Sequence, residues 1–163
     1  MSVRTAAVAL VFVLLLPDAL RAREPVFDRT CPLYSTLEEV PLRPGRPVVL
    51  VFFSTVCPAC WDDLFAVRLM IEESGFDGEL VGVTRDAEGA VRAFLDKYGF
   101  ACPVVRDARK RLFRAHAVEL EPAAVAVEDD RVVYRDDPYL GYPARREELK
   151  KWMMRRSGRR ISA

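Results

Sequence analysis

A single histidine, His116, stands in a chain of 163 residues, and no histidine–cysteine cluster surrounds it. A closed zinc site would therefore have to come from cysteines alone, and no metal or other cofactor is expected. Excess charge of one sign is also missing. The 25 basic and 24 acidic side chains leave a formal net charge of +1, which gives no argument for a nucleic-acid partner or an acidic substrate. No apolar run reaches the roughly 20 residues that a membrane-spanning helix needs. There is no internal repeat and no low-complexity segment. With 51% hydrophobic and 30% charged residues the chain can fill a core and cover a soluble surface, and its length suits one ordinary domain.

The first 22 residues read as a segment outside that domain. Arg4 supplies a positive start, and Ala6 to Leu16 is an unbroken apolar run of about eleven residues, the length of a signal-peptide core. Pro17 breaks the run, and Ala19-Leu20-Arg21-Ala22 offers a cleavage site after Ala22. Leu20 is larger than such a site prefers, so a retained N-terminal anchor is the alternative. No Leu-x-x-Cys lipobox precedes Cys31, which argues against lipid attachment. The chain thus divides into a signal peptide or anchor (1–22), one domain (23–156) and a basic tail (157–163). It is expected to be exported, to the periplasm or beyond, or held at the membrane by its N-terminus.

Residues 23–47 are rich in proline and turn formers, with room for a short edge strand or hairpin around Leu33 to Val40. Val48 to Phe53 is β-branched and aromatic without alternation, the pattern of a strand buried on both faces. A helix follows, with Leu64, Val67 and Ile71 at helical spacing and a stop at Ser74-Gly75. Glu79 to Thr84 reads as a second strand. Asp86 is placed to cap the next helix, whose inner face is Val91, Phe94, Leu95 and Tyr98. Pro103 to Val105 makes a short strand, and Asp107 opens a helical stretch to His116. Ala123 to Val127, the turn Asp129-Asp130 and Arg131 to Arg135 form a hairpin, before a last helix over about 144–154. Strands and helices in this order predict an α/β fold: a central mixed sheet with helices on both faces.

Four cysteines fall into a close pair, Cys57 and Cys60, and two distant singles, Cys31 and Cys102. The pair sits where a buried strand turns into a helix. There, unpaired backbone N–H groups and the helix dipole favour a thiolate on the first cysteine. The second lies about one turn later, within reach of a mixed disulfide formed by the first. Pro58, at the first helical position, gives up an N–H that would have been unpaired anyway. With no second C-x-x-C motif in the chain, redox chemistry outranks a zinc half-site or an inert bond. Outside the cytosol, Cys31 and Cys102 could also pair, or Cys102 could serve as a small buried apolar residue.

Ser54-Thr55-Val56-Cys57-Pro58-Ala59-Cys60 after Val48 to Phe53, the Leu80 to Asp86 segment, Pro103-Val104-Val105-Arg106-Asp107 and Val118 to Val127 together resemble the thioredoxin superfamily. Within it they are most similar to the TlpA/ResA-like exported thiol–disulfide reductases, over roughly residues 30–155. The resemblance implies a thioredoxin-like fold and a cis peptide before Pro122, facing the cysteines. It also implies disulfide-containing substrate proteins and a membrane-embedded thiol donor. We expect a monomer.

Departures from the family pattern carry information. Val56 replaces the usual tryptophan before the first cysteine, and Val51 stands where thioredoxin has a buried aspartate. Asp63, three residues after Cys60, matches an acidic position of the TlpA/ResA-like proteins and becomes the candidate proton acceptor for Cys60; otherwise it is a solvated helix residue beside Asp62. Glu121 precedes Pro122 where a β-branched residue is usual, and a carboxylate near Cys57 disfavours its thiolate. Pro58-Ala59 supplies no cation, and both features favour the reductase direction. His116 is assigned a packing or surface role, and Trp61 is expected to cover the start of the helix or to help dock partners. Arg145, Arg146, Lys150, Lys151, Arg155, Arg156, Arg159 and Arg160 read as a solvated helix face, with weak attraction to anionic lipid as the alternative. Two rival functions remain. One is a peroxidase, although Leu50 and Ser54 stand where the Pro-x-x-x-Thr-x-x-Cys signature needs proline and threonine. The other is a non-catalytic binding domain with an inert disulfide.

Overall fold

The computed structural model describes residues 32–99 and 102–158. The expected signal segment, Cys31 and residues 159–163 of the basic tail lie outside these. The elements run β1 (Leu33–Tyr34), a single 3-10 turn (Leu37–Glu39), β2 (Val48–Phe52), α1 (Pro58–Ser74), β3 (Glu79–Thr84) and α2 (Glu88–Tyr98). They continue with β4 (Val104–Arg106), α3 (Arg111–Ala115), β5 (Ala123–Glu128), β6 (Arg131–Arg135) and α4 (Tyr142–Arg156). Among the described residues no helix is long and apolar enough to cross a membrane.

One six-stranded sheet has the order β1-β4-β3-β2-β5-β6. β1, β4, β3 and β2 are parallel neighbours, whereas β5 runs antiparallel to β2, and β6 antiparallel to β5. The sheet is mixed, as the sequence predicted, with its antiparallel part formed by the hairpin. β2 is fully buried, and its side chains alternate between two cores. Val49, Val51 and Phe53 point to one with Leu64 and Val67 of α1, Val91, Phe94 and Leu95 of α2, and Leu149, Trp152 and Met153 of α4. Val48, Leu50 and Phe52 point to the other with Val40, Val81, Val83, Val105, Phe113 of α3 and Val125. Helices thus cover both faces, and the expected α/β thioredoxin-like fold is borne out.

Both edges of the sheet are short or interrupted. β1 has two residues, and β6 pairs with β5 across a register shift at Ala126/Val127. The helix stops match their residues: α1 ends on Gly75 at φ 66° and α2 on Gly99 at φ 58°, left-handed positions where glycine costs little. One expectation is corrected. Asp86 does not cap α2, which starts after Ala87 with no side-chain cap; a stronger set of donors draws its carboxylate elsewhere. By contrast Asp107 does hold the start of α3, accepting from the backbone N–H groups of Arg111 (2.7 Å) and Phe113 (3.0 Å).

Candidate redox site

Beyond the C-terminal end of β2 the chain leaves the sheet through Ser54 and turns into α1. Cys57 is the N-cap residue of that helix, and its Sγ accepts from the Cys60 N–H at 3.2 Å. The two cysteines form a disulfide, with Cα atoms 5.3 Å apart. Cys57 is half-buried and Cys60 fully buried. That asymmetry gives each sulfur its part in an exchange: the outer one can meet another molecule, and the inner one can be reached only from Cys57.

The turn before Cys57 is held by Asp86 at the end of β3. One carboxylate oxygen accepts from the Thr55 N–H (2.6 Å), the Thr55 hydroxyl (2.7 Å) and the Ser54 hydroxyl (3.1 Å). This is where the side chain expected to cap α2 has gone. Three donors, one of them a backbone N–H, outweigh one capping bond.

The Glu121–Pro122 peptide bond is cis. The antiparallel register pairs Phe52 with Ala123, so the residues just before Ala123 run alongside those just after Phe52, at the same end of the sheet as Cys57. Glu121 is bonded to Arg85 at 3.3 Å, and its other oxygen meets no donor in hydrogen-bond geometry. Burial raises its pKa. The Arg85 charge opposes the shift, and the nearby Asp86 charge adds to it.

Val56 is 86% exposed, and Leu120, the neighbour of Glu121, is 70% exposed. Apolar side chains thus stand open in sequence next to both halves of the site. Trp61 packs edge-on against Phe94 and Tyr98 of α2, and with Thr55, Val56, Pro58, Asp62 and Tyr98 it lines a groove of about 360 Å³. His116 is half-buried with its ring edge-on to Phe52, and burial lowers its pKa.

Asp63 is fully buried rather than solvated like its neighbour Asp62. Arg146 of α4 reaches it, with Nε 3.0 Å from Oδ1, and the same guanidinium bonds Asp136 after β6. The expectation that Arg145 and Arg146 belong to a solvated face is therefore corrected. Arg146 is 5% exposed, drawn inward by two buried carboxylates, and Arg145 donates to the Pro122 carbonyl at 2.9 Å. Burial raises the Asp63 pKa to about 6, against the opposing charge of Arg146 and with support from Asp136. Arg146, Asp136 and Arg85 were missed in the sequence. For Arg146 a signal existed: it stands three and seven positions before Leu149 and Met153, in the buried stripe of α4.

Among the described residues no group of three His, Cys, Asp or Glu side chains could hold a metal ion. The AhpC/TSA family matches residues 34–136 of the chain. No curated protein matches it. Among solved structures, a thioredoxin-like protein from Porphyromonas gingivalis is 25% identical, covering 71% of this chain and 78% of that one, with a TM-score of 0.59. A secreted disulfide oxidoreductase from Mycobacterium tuberculosis is 23% identical over 68% and 81%, at 0.52. The bacterioferritin comigratory protein of Xanthomonas campestris, described for alkyl peroxide reduction, is 20% identical over 70% and 82%, at 0.55. The thioredoxin-superfamily resemblance is borne out.

The Asp63 pKa gives a signed prediction. Since it is raised from 3.8 to about 6, the folded protein binds this proton more tightly than the unfolded chain does. The resulting stabilisation is complete below the unfolded value and is lost as pH rises through about 6. Relative to Asp63→Asn, the oxidised wild type should lose on the order of 3 kcal/mol between about pH 4 and pH 7. Urea midpoints of both proteins across that range check this.

Proposed function

The chain belongs to the AhpC/TSA family, and on that premise we propose that it is an exported thiol–disulfide oxidoreductase that reduces disulfides in partner proteins. The observation that carries this reading is the Cys57–Cys60 disulfide at a helix N-terminus, with Cys57 half-buried and Cys60 fully buried. In the forward step the Cys57 thiolate attacks a partner disulfide and forms a mixed disulfide. Cys60, deprotonated towards Asp63, attacks Cys57 and releases the reduced partner. A membrane-embedded thiol donor then restores the dithiol. Pro122 and Glu121 border the site, and the protein works as a monomer. The apolar N-terminal run supports export, with residues 1–22 removed or kept as an anchor.

The reductase direction is supported by the Glu121 carboxylate and by the lack of any cation between the cysteines. Arg85 pairs with Glu121 and tempers that charge. A peroxidase is the second reading. The family name and the likeness to the Xanthomonas protein favour it, while Leu50 and Ser54 in place of proline and threonine oppose it.

Cys31 and Cys102 are proposed to pair. Leu33 and Val104 are partners in the parallel register of β1 and β4, and the two cysteines stand two positions before each of them. The Val104 N–H also bonds the carbonyl of Pro32, next to Cys31 in the chain, at 3.0 Å. Cys102 is buried on the same side as Leu33 and Val104. A bond here would fasten the lead-in to the sheet and stabilise the fold by roughly 4 kcal/mol in the chain-entropy account.

Three measurements test these readings. Cys60→Ala should accumulate mixed disulfides with partner proteins through Cys57; peroxide turnover by that variant, without protein adducts, would favour the peroxidase. The Cys57/Cys60 potential should lie nearer thioredoxin's, roughly −270 mV, than the oxidant DsbA's, about −120 mV. Non-reducing mass spectrometry of the oxidised protein should find a Cys31–Cys102 crosslink, and two alkylatable thiols would refute it.

A further inference from the structure

Among the described residues, the Arg146 guanidinium stands buried against two carboxylates from separate elements, Asp63 of α1 and Asp136 just after β6. Asp63 lies three positions after Cys60 on α1, so the two share a face of the helix one turn apart, and both are fully buried. Asp136 is fixed from three directions. It accepts from the Ala124 N–H of β5 at 2.8 Å and from the Tyr134 hydroxyl of β6 at 2.9 Å, and it holds Arg146. With Arg146 Nε 3.0 Å from Oδ1 and the Tyr142 hydroxyl also bonded to the carboxylate, Asp63 still has lone-pair capacity for a proton.

We propose that Arg146 is the positioning residue that keeps Asp63 ionised and available as the proton acceptor for Cys60. This rests on the reading of Cys57 and Cys60 as an exchange pair. Cys60 is sealed from solvent, so its proton needs an acceptor inside the protein. A lone buried carboxylate cannot serve, because burial holds it in its neutral, already protonated form. Arg146 counters that effect, and Asp136 shares the guanidinium and stops it from holding Asp63 permanently charged. The other groups facing Asp63 are Tyr142 and Arg145 of α4. Tyr142 stays neutral, its pKa pushed up to about 12 by burial first and by the Asp63 charge next.

In the step itself the Cys60 S–H proton passes to Asp63, and the new thiolate attacks the Cys57 sulfur. The bond from Cys57 to the partner sulfur breaks. That sulfur leaves with the electron pair and takes a proton from solvent. The two electrons gained by the partner come from the cysteine pair, which ends as the disulfide. Asp63 returns its proton to Cys60 when the pair is reduced again.

The test reads Asp63 directly, by carbon-13 NMR titration of its carboxyl group in the oxidised protein, and reads release of a mixed disulfide against pH. Arg146→Met should raise the Asp63 midpoint by a unit or more and slow release at pH 6 about tenfold. Arg146→Lys should restore most of both, and Arg146→Met should add less than about twofold on an Asp63→Asn background. Asp136→Asn should move the midpoint the other way, downward, and serves if Arg146→Met does not fold. An unmoved midpoint in Arg146→Met, or in Asp136→Asn, would overturn the assignment and leave Arg146 a purely structural ion pair. If the wild type releases no mixed disulfide, the exchange reading fails, while the titration still decides what Arg146 does to Asp63.

Discussion

Strand β2 is bonded along its whole length to β3 running with it and to β5 running against it. From that opposition the rest of the site follows. The parallel partner brings Asp86, at the end of β3, beside the turn that leaves β2. The antiparallel partner brings its first residues, and Glu121-Pro122 before them, to the same end. A sheet with two parallel neighbours would have put the start of β5 at the far end from the cysteines. The complete burial of β2 makes this arrangement rigid, because no side chain on either face can move without opening a core.

The polar cluster behind the cysteines works under a different constraint. Charges taken out of water cost several kcal/mol each unless paired, and here one cation serves two anions. The arrangement also ties separate elements together: α1 through Asp63, α4 through Arg146, and the β5–β6 hairpin through Asp136 and the Ala124 N–H. Arg145, one residue earlier on α4, adds a bond to the Pro122 carbonyl. The wall behind Cys60 and the loop before β5 are therefore anchored by adjacent residues of one helix.

Much of this was legible in the residues, and the exceptions share a cause. Val48 to Phe53 announces a two-sided strand because burial on both faces removes alternation. Cys57-Pro58-Ala59-Cys60 announces its chemistry because the motif is local. Asp86 was misjudged because its nearest local use, a helix cap, lost to donors on Ser54 and Thr55, which are distant in sequence. Arg146 was misjudged because a run of basic residues looks like a wet surface. Its apolar neighbours at helical spacing reveal the inner face, but only a tertiary partner such as Asp63 makes an arginine there tolerable. Pairing across elements, rather than propensity, is what local patterns leave out.

The two edges of the sheet bear on how the protein keeps to itself. An open strand offers unpaired N–H and C=O groups on which a foreign chain can build. Here β1 is only two residues long, too short to template much. At the opposite margin β6 is bracketed by exposed Arg131 and Arg135, and the slip in pairing at Ala126/Val127 twists it away from flatness. With both margins blunted, the sheet offers another chain little to build on at either edge. What stands open instead is the end of the sheet that carries Cys57, where Val56 and Leu120 are exposed.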